Sequence, residues 1–371
     1  MPDRVGIVGV GYEGFRPTIS DLSTRELMFE AASKAYDDAG VDPRKEIGSF
    51  ICCTEDLWEG WSITDEMVPD QIGGARRPVC TVPSDGIVGL GHGMMQIRSG
   101  IADVISVEAH SKIADVVNKT AVENLASDPV FLRVSGANND VLAGLEMSAF
   151  LNRTGLRRGD CTKAVRLAKE KALKNPRASY GGSLGAREIE ASQPLSLPLR
   201  AADKAEYAEA AIVIVLARES WIRKNKKEAI FIDGLAWRST TPWYEGGEVR
   251  FSKCARDSFE AAKKQAGLKG GVQSFDVLEI DDTYSYKLLQ NLRSIGDEEC
   301  ASLNRQGVNP SGGSLGVGHL IEATGLHRVL ECVLQIRGKA GGNQMKRAER
   351  ALAVSWRGNP SASGAAAILS G

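Results

Sequence analysis

His319 stands in "NPSGGSLGVGHLIEATG", a glycine-rich stretch from Asn309 to Gly325. An imidazole in such a setting has two chemistries open to it: moving a proton, or donating a hydrogen bond to a developing oxyanion. The plainer alternative is a buried, satisfied histidine. An earlier stretch, "PSDGIVGLGHG" (Pro83 to Gly93), matches "PSGGSLGVGHL" (Pro310 to Leu320) in register at Pro, Ser, three Gly and His. Glycine turns that lead into helices leave backbone N–H groups free to stabilise a thiolate, an oxyanion or a phosphate, or simply let helix and strand pack closely. Cys80, in "RPVCTVPSDG", is either a core thiol or a nucleophile helped by the following helix dipole and by Arg76 and Arg77. Ser84 is either a nucleophile that needs a base or a helix N-cap. In "SFDVLEIDDTYSYKLLQNL", Asp281 and Asp282 cap a turn, or Asp281 acts as a base or orients a water. Tyr284 and Tyr286 are acid–base groups or packing residues.

Elements that would position these groups recur along the chain. "FEAASKAYDDAGVDPRKEIGSFICC" and "FEAAKKQAGLKGGVQSFDVLEI" each give an amphipathic helix, a Gly-containing turn and an apolar strand. A helix ending in Gln-Ile-Arg and a further strand follow each. The pattern predicts two α/β halves, 1–225 and 226–371, the first with a helical insertion at about 112–198. Short apolar strands alternating with longer helices predict mostly parallel, buried sheets, with a helix layer between the halves. Inside the insertion, Lys163, Arg166, Lys169, Lys171, Lys174 and Arg177 make one helical segment basic. That is a solvated face, or a site for the phosphates of a nucleotide-tailed substrate.

The composition narrows the class of protein. With 371 residues and a net charge of −1, the chain is long enough for a substantial core and has no charge bias toward nucleic acid or an acidic membrane. No run approaches the ~18 apolar residues of a spanning helix. Seven cysteines without framework spacing read as reduced thiols in a cytoplasmic protein. The cysteines and the four histidines show no metal-ligand spacing.

These motifs together resemble the thiolase superfamily, over essentially the whole length. "NPSGGSLGVGHLIEATG" is similar to the family's N-P-x-G-G-x-x-x-x-G-H-P-x-G-A-T-G loop, with Leu320 for the usual Pro and Glu322 for a Gly. "GMMQIRSG" is similar to the end of the helix that starts at the nucleophilic cysteine, and "VLEIDDTYSYKLL" to the segment carrying N-E-A-F or H-D-A-F. The resemblance implies a thiolase fold of layered αβαβα form and a catalytic role for His319. It also implies cleavage of a β-keto acyl-CoA with coenzyme A as co-substrate and no covalently bound cofactor. Asp281 takes the place of the Asn or His of the family segment. Ser311, Gly312, Gly313, Tyr284 and Gly358 fall where substrate would be held, Gly358 near the family's second cysteine. The family's first cysteine falls at Pro83, so Cys80 and Ser84 remain as candidate nucleophiles.

Among relatives, the chain resembles the sterol-carrier-protein-x-like and archaeal types. That implies a homodimer core paired through "RRPVCTV" and a small zinc-ribbon/OB-fold accessory subunit. A role in β-oxidation or a related degradation route follows, as in the benzoylsuccinyl-CoA thiolase of anaerobic toluene degradation. Two alternatives stand beside it. One is a cysteine-independent aldolase of the same fold acting on a β-hydroxy acyl-CoA; the other is a non-catalytic subunit.

Overall fold

The computed structural model describes residues 3–56, 63–125, 127–240, 248–358 and 363–371. Its strands are β1 (Val5–Arg16), β2 (Ser49–Cys53), β3 (Val79–Val82), β4 (Val104–Ser111), the hairpin β5 (Pro194–Ser196) and β6 (Leu199–Arg200), β7 (Glu209–Arg218), β8 (Ile230–Ser239), β9 (Val277–Ile280), β10 (Arg350–Arg357) and β11 (Ser363–Ser370). All but the hairpin join one nine-stranded sheet in the order β3-β2-β4-β7-β1-β8-β11-β10-β9. Read outward from the central β1–β8 contact, the two flanks mirror each other. On the far side of β9, Val308 makes a single parallel bridge to Leu278, in the place β3 holds beside β2.

The sheet is mixed, which corrects the expectation of mostly parallel strands. β2 lies parallel to β3 and β4, and β9 parallel to β10, whereas β4, β7, β1, β8, β11 and β10 run antiparallel in succession. The reason is connection length. The short link between Arg357 and Ser363 can only turn the chain back on itself, because a parallel return needs a crossover of a dozen or more residues.

Helices fill three layers around the two flanks. Thr24–Ala39 covers β1 and β7 on one outer face, and Lys253–Gln265 covers β8 and β11 on the other. Between the flanks lie Gly86–Arg98 and Ala323–Ile336. The second of these touches β7 and β10 at once, and its residues from Ala323 to Gln335 are all buried. The largest apolar cluster joins these helices to strands of both flanks, through Ile87, Leu90, Leu326 and Val329 against Val107, Ile212, Leu235 and Ala353. The outcome is the αβαβα layering that the resemblance implies. Glycine sets the spacing of both outer helices. A Cβ on Gly11 would sit 2.2 Å from the Ala31 carbonyl oxygen, and one on Gly234 would sit 2.0 Å from that of Ala262.

The segment between β4 and β7 supplies the helices Asn139–Thr154 and Arg158–Ala172. The latter packs on the short helix Gly313–Val317 and on Ser285–Ser294, and so supports the glycine loop from behind. The basic residues of the segment between β4 and β7 divide accordingly. Lys171 Nζ donates to the Arg305 and Val308 carbonyls, Lys169 lies over the Tyr180 ring, and buried Arg177 pairs with Glu331 at 2.8 Å. Those three are framework groups, while Lys163, Arg166 and Lys174 are not buried.

Candidate active site

The two interior helices start close together, and a cavity of about 810 Å³ opens beside their N-termini. Two glycines permit the approach. A Cβ on Gly86 would come 2.4 Å from Leu326 Cγ, and a Cβ on Gly325 would come 2.0 Å from Asp85 Oδ1. The Gly86 amide donates to the Glu322 carbonyl at 2.9 Å, tying one helix start to the other. Asp85 caps its own helix by accepting from the Ile87 amide at 2.9 Å, and also accepts from Ser355 Oγ at 2.7 Å. Burial pushes its carboxyl above the usual range.

His319 projects into this cavity from the loop before the second helix. Its backbone is fixed on both sides, with its amide donating to the Glu206 carbonyl at 2.7 Å and its carbonyl accepting from the Ala208 amide at 3.1 Å. Burial lowers the imidazole to about 4, so it is neutral near pH 7. Thr324 Oγ1 accepts from the Leu320 amide at 3.1 Å and lies 3.3 Å from His319 Nδ1. That contact fits either tautomer of the imidazole, because a hydroxyl both donates and accepts. With its proton on Nε2, the neutral His319 is a donor suited to an oxyanion.

Of the other residues expected from sequence, Ser84, Tyr284 and Gly358 line the cavity together with His319. Ser84 immediately precedes the capping Asp85, and its amide donates to the Val82 carbonyl at 2.8 Å. Tyr284 is buried, its hydroxyl 3.4 Å from Asp140 Oδ1 and its ring stacked on Tyr286 at 5.9 Å. Tyr286 itself points away, donating to Glu146 at 2.9 Å.

Cys80, Asp281, Ser311, Gly312 and Gly313 lie outside the lining residues. Cys80 sits on β3 two residues before Val82, which does line the cavity. Alternation puts both side chains on one face, but roughly 6–7 Å apart along the strand. The Cys80 thiol faces Gln96 Nε2 at 3.8 Å, and burial raises it above the ordinary thiol range. Asp281 is fully buried and bonded to Arg328 Nη2 at 3.0 Å. Arg328, also fully buried, donates besides to the Ile280 carbonyl and to Ser314 Oγ. Ser311 donates to Glu279 at 2.7 Å. A Cβ on Gly312 would strike Ala172, and one on Gly313 the Asp282 carboxylate. The start of the glycine loop is therefore held by buried acids and Arg328, and serves to place His319.

The likeness of "PSDG" to "PSGG" is not a structural equivalence. In the first copy three residues, 83–85, separate β3 from its helix; in the second, fourteen separate Val308 from Ala323, with a short helix among them. His92, the sequence mate of His319, instead lies along the first helix and stacks on Trp237 at 5.6 Å.

Sequence reasoning missed a ring of polar and aromatic lining residues. Arg357 bridges Glu55 at 2.5 Å and Glu322 at 2.7 Å. Lys204 pairs with Asp140 at 2.8 Å, and Tyr207 donates to Glu123. Trp237 and Trp356 supply flat apolar wall. Only Glu322 had a local signal, as a departure within the glycine-loop motif. Among the described residues, no cysteine lines the cavity and no group of three side chains is placed to hold a metal ion.

Residues 246–371 match the family described as thiolase C-terminal domain-like. Across 93% of its length the chain is 25% identical to an acetyl-CoA acetyltransferase of Methanothermobacter thermautotrophicus, of which 94% is covered. It is 22% identical to the benzoylsuccinyl-CoA thiolase subunit BbsB of Thauera aromatica, over 67% of this chain and 68% of that one. The chain is similar to thiolases along nearly its whole length. It is also 22% identical to sterol carrier protein 2 of Bos taurus, over 95% of this chain and 70% of that one. A solved structure titled Ltp2-ChsH2(DUF35) aldolase superposes with a TM-score of 0.82 at 19% identity, covering 100% of this chain and 98% of that one. In this thiolase-like chain the histidine loop lines a cavity together with residues from both flanks of the sheet. No helix among the described residues is long and apolar enough to cross a membrane.

Proposed function

We propose that the chain cleaves a carbon–carbon bond beside a coenzyme A thioester without a thiol nucleophile, by retro-aldol cleavage of a β-hydroxy acyl-CoA. The observation that carries this reading is a neutral His319 in a cavity that no cysteine lines among the described residues. Breaking the Cα–Cβ bond leaves an electron pair on the thioester as an enolate. A donor aimed at that oxygen is worth on the order of 3–4 kcal/mol of barrier. No acyl group is transferred to the protein, so none of the seven buried or half-buried thiols is required. The aldolase named among the solved structures of this fold supports the same chemistry.

The second reading is the retro-Claisen reaction, in which coenzyme A cleaves a β-keto acyl-CoA by way of an acyl-enzyme on Ser84 or Cys80. Ser84 supports it by lining the cavity next to a helix N-terminus, and the acetyltransferase and BbsB relatives support it by name. Benzoylsuccinyl-CoA, and with it a place in toluene degradation or β-oxidation, belongs to this reading. For either reaction we propose a cytoplasmic homodimer built on the β3 edge, two repeated halves dividing near residue 225, and a small zinc-ribbon/OB-fold accessory subunit. The pairing of Ltp2 with ChsH2(DUF35) in the superposed aldolase supports the last of these.

The test is product analysis by mass spectrometry, with the full chain alone and with its co-purified accessory subunit. A β-hydroxy acyl-CoA should yield a carbonyl compound and a shortened acyl-CoA with no free coenzyme A added. Cleavage confined to β-keto acyl-CoA plus coenzyme A would replace the first reading with the second.

A further inference from the structure

Retro-aldol cleavage needs an acceptor for the β-hydroxyl proton besides the donor, His319, that holds the enolate. Two lining residues from outside any recognised motif meet the need. Tyr207 is joined to His319 by a backbone bridge, and its ring lies 5.4 Å from the imidazole. The Tyr180 hydroxyl holds the Tyr207 carbonyl, which fixes the residue further. Its phenol donates to Glu123 Oε1, on the helix Lys119–Leu125 at the cavity wall.

We infer that Tyr207 and Glu123 act together as the proton relay of this site, Tyr207 touching the substrate hydroxyl and Glu123 acting through it. The inference rests on the retro-aldol reading. In the forward step the β-hydroxyl proton passes to Tyr207 Oη as the phenol proton passes to Glu123. The O–H electron pair becomes the C=O π bond, the Cα–Cβ bond breaks, and its pair moves to the thioester enolate held by His319. The proton then returns from Glu123 through Tyr207 to Cα, so the protein ends as it began and no outside acid or oxidant is consumed. Burial, and after it the Glu123 charge, holds the Tyr207 phenol well above its usual range. The tyrosine therefore exchanges protons within the relay without a free phenolate forming.

A neighbouring pair, Tyr284 with Asp140, looks similar but is less suited. Asp140 is already neutralised by Lys204 at 2.8 Å, whereas no cation is paired with Glu123 among the described residues.

The experiment compares wild type, H319A, Y207F and E123Q on one β-hydroxy acyl-CoA, measuring kcat, KM and the solvent deuterium isotope effect on kcat. Phe keeps the ring against His319, and Gln keeps a hydrogen bond to the phenol, so thermal melts should stay close to wild type. Y207F and E123Q should each lower kcat by roughly 10²–10³-fold, within the range for a positioned proton-transfer group. KM should move by less than about threefold, and the isotope effect should change, which loss of a purely structural contact would not cause. Should Y207F fail to fold, E123Q alone decides. If wild type and not H319A cleaves the substrate while both relay variants match wild type, the relay is overturned and the retro-aldol reading stands. If wild type does not cleave it, that reading falls and the relay with it.

Discussion

His319 connects the histidine loop to its chemistry through one property: it is neutral. Substitution by Ala should lower turnover roughly 10²–10⁴-fold, as for a positioned donor or proton-transfer group. Folding should persist, since the loop is held by its backbone and by the buried acids behind it. Because burial lowers this imidazole to about 4 in the folded chain, against 6.5 for an ordinary histidine, the unfolded chain takes up the proton first as pH falls. Stability contributed at this position is therefore intact above about pH 6.5 and is lost between there and about pH 4. Urea midpoints at pH 7.5 and 5 should differ more in wild type than in His319→Gln. An equal difference would mean that the imidazole is not neutral when folded. His319 was legible in the sequence because a local pattern surrounds it. Tyr207 and Glu123 were not, because each lies far from it along the chain and meets it only once the segment between β4 and β7 folds over the cavity. Cys80 stands two residues of strand before the lining Val82, a distance that spacing alone does not convert into reach.

At the scale of elements, the decisive contact is between the starts of the two interior helices. Gly325 is there because the Asp85 carboxylate occupies the space a Cβ would need. Gly325→Ala should destabilise the fold by about 1–3 kcal/mol through overpacking, read as a lower denaturation midpoint at unchanged slope. A neutral effect would mean that the helices can separate, and with them the cavity walls. The shared Gln-Ile-Arg endings, Gln96–Arg98 and Gln335–Arg337, fall at the C-terminal ends of the two interior helices. The glycine motifs are not equivalent, since similar residues serve a tight cap in one copy and a long buried loop in the other. Composition specifies that a turn is flexible; it does not specify how many residues the turn must span.

For the whole molecule, a helix layer between two sheets was readable from repetition and the αβαβα form from the family resemblance, but strand direction was not, because direction follows from connection lengths that an apolar run does not reveal. The sheet ends on β3, whose outer edge carries backbone groups unpaired by the described residues. Such an edge is a template for a second strand, and sedimentation at micromolar concentration should find at least a dimer; a monomer without partner would contradict it. A dimer edge at β3 also places Cys80 beside a subunit boundary and not in the cavity, which bears on the central claim that catalysis needs no thiol. The most direct measurement is the rate of β-hydroxy acyl-CoA cleavage by Cys80→Ala, together with intact-mass analysis of both proteins quenched during turnover. The account predicts a rate within about threefold of wild type, less than the energy of one pK unit, and no acyl adduct on either chain. Loss of activity in Cys80→Ala, with an acyl group trapped on Cys80 of the wild type, would contradict it.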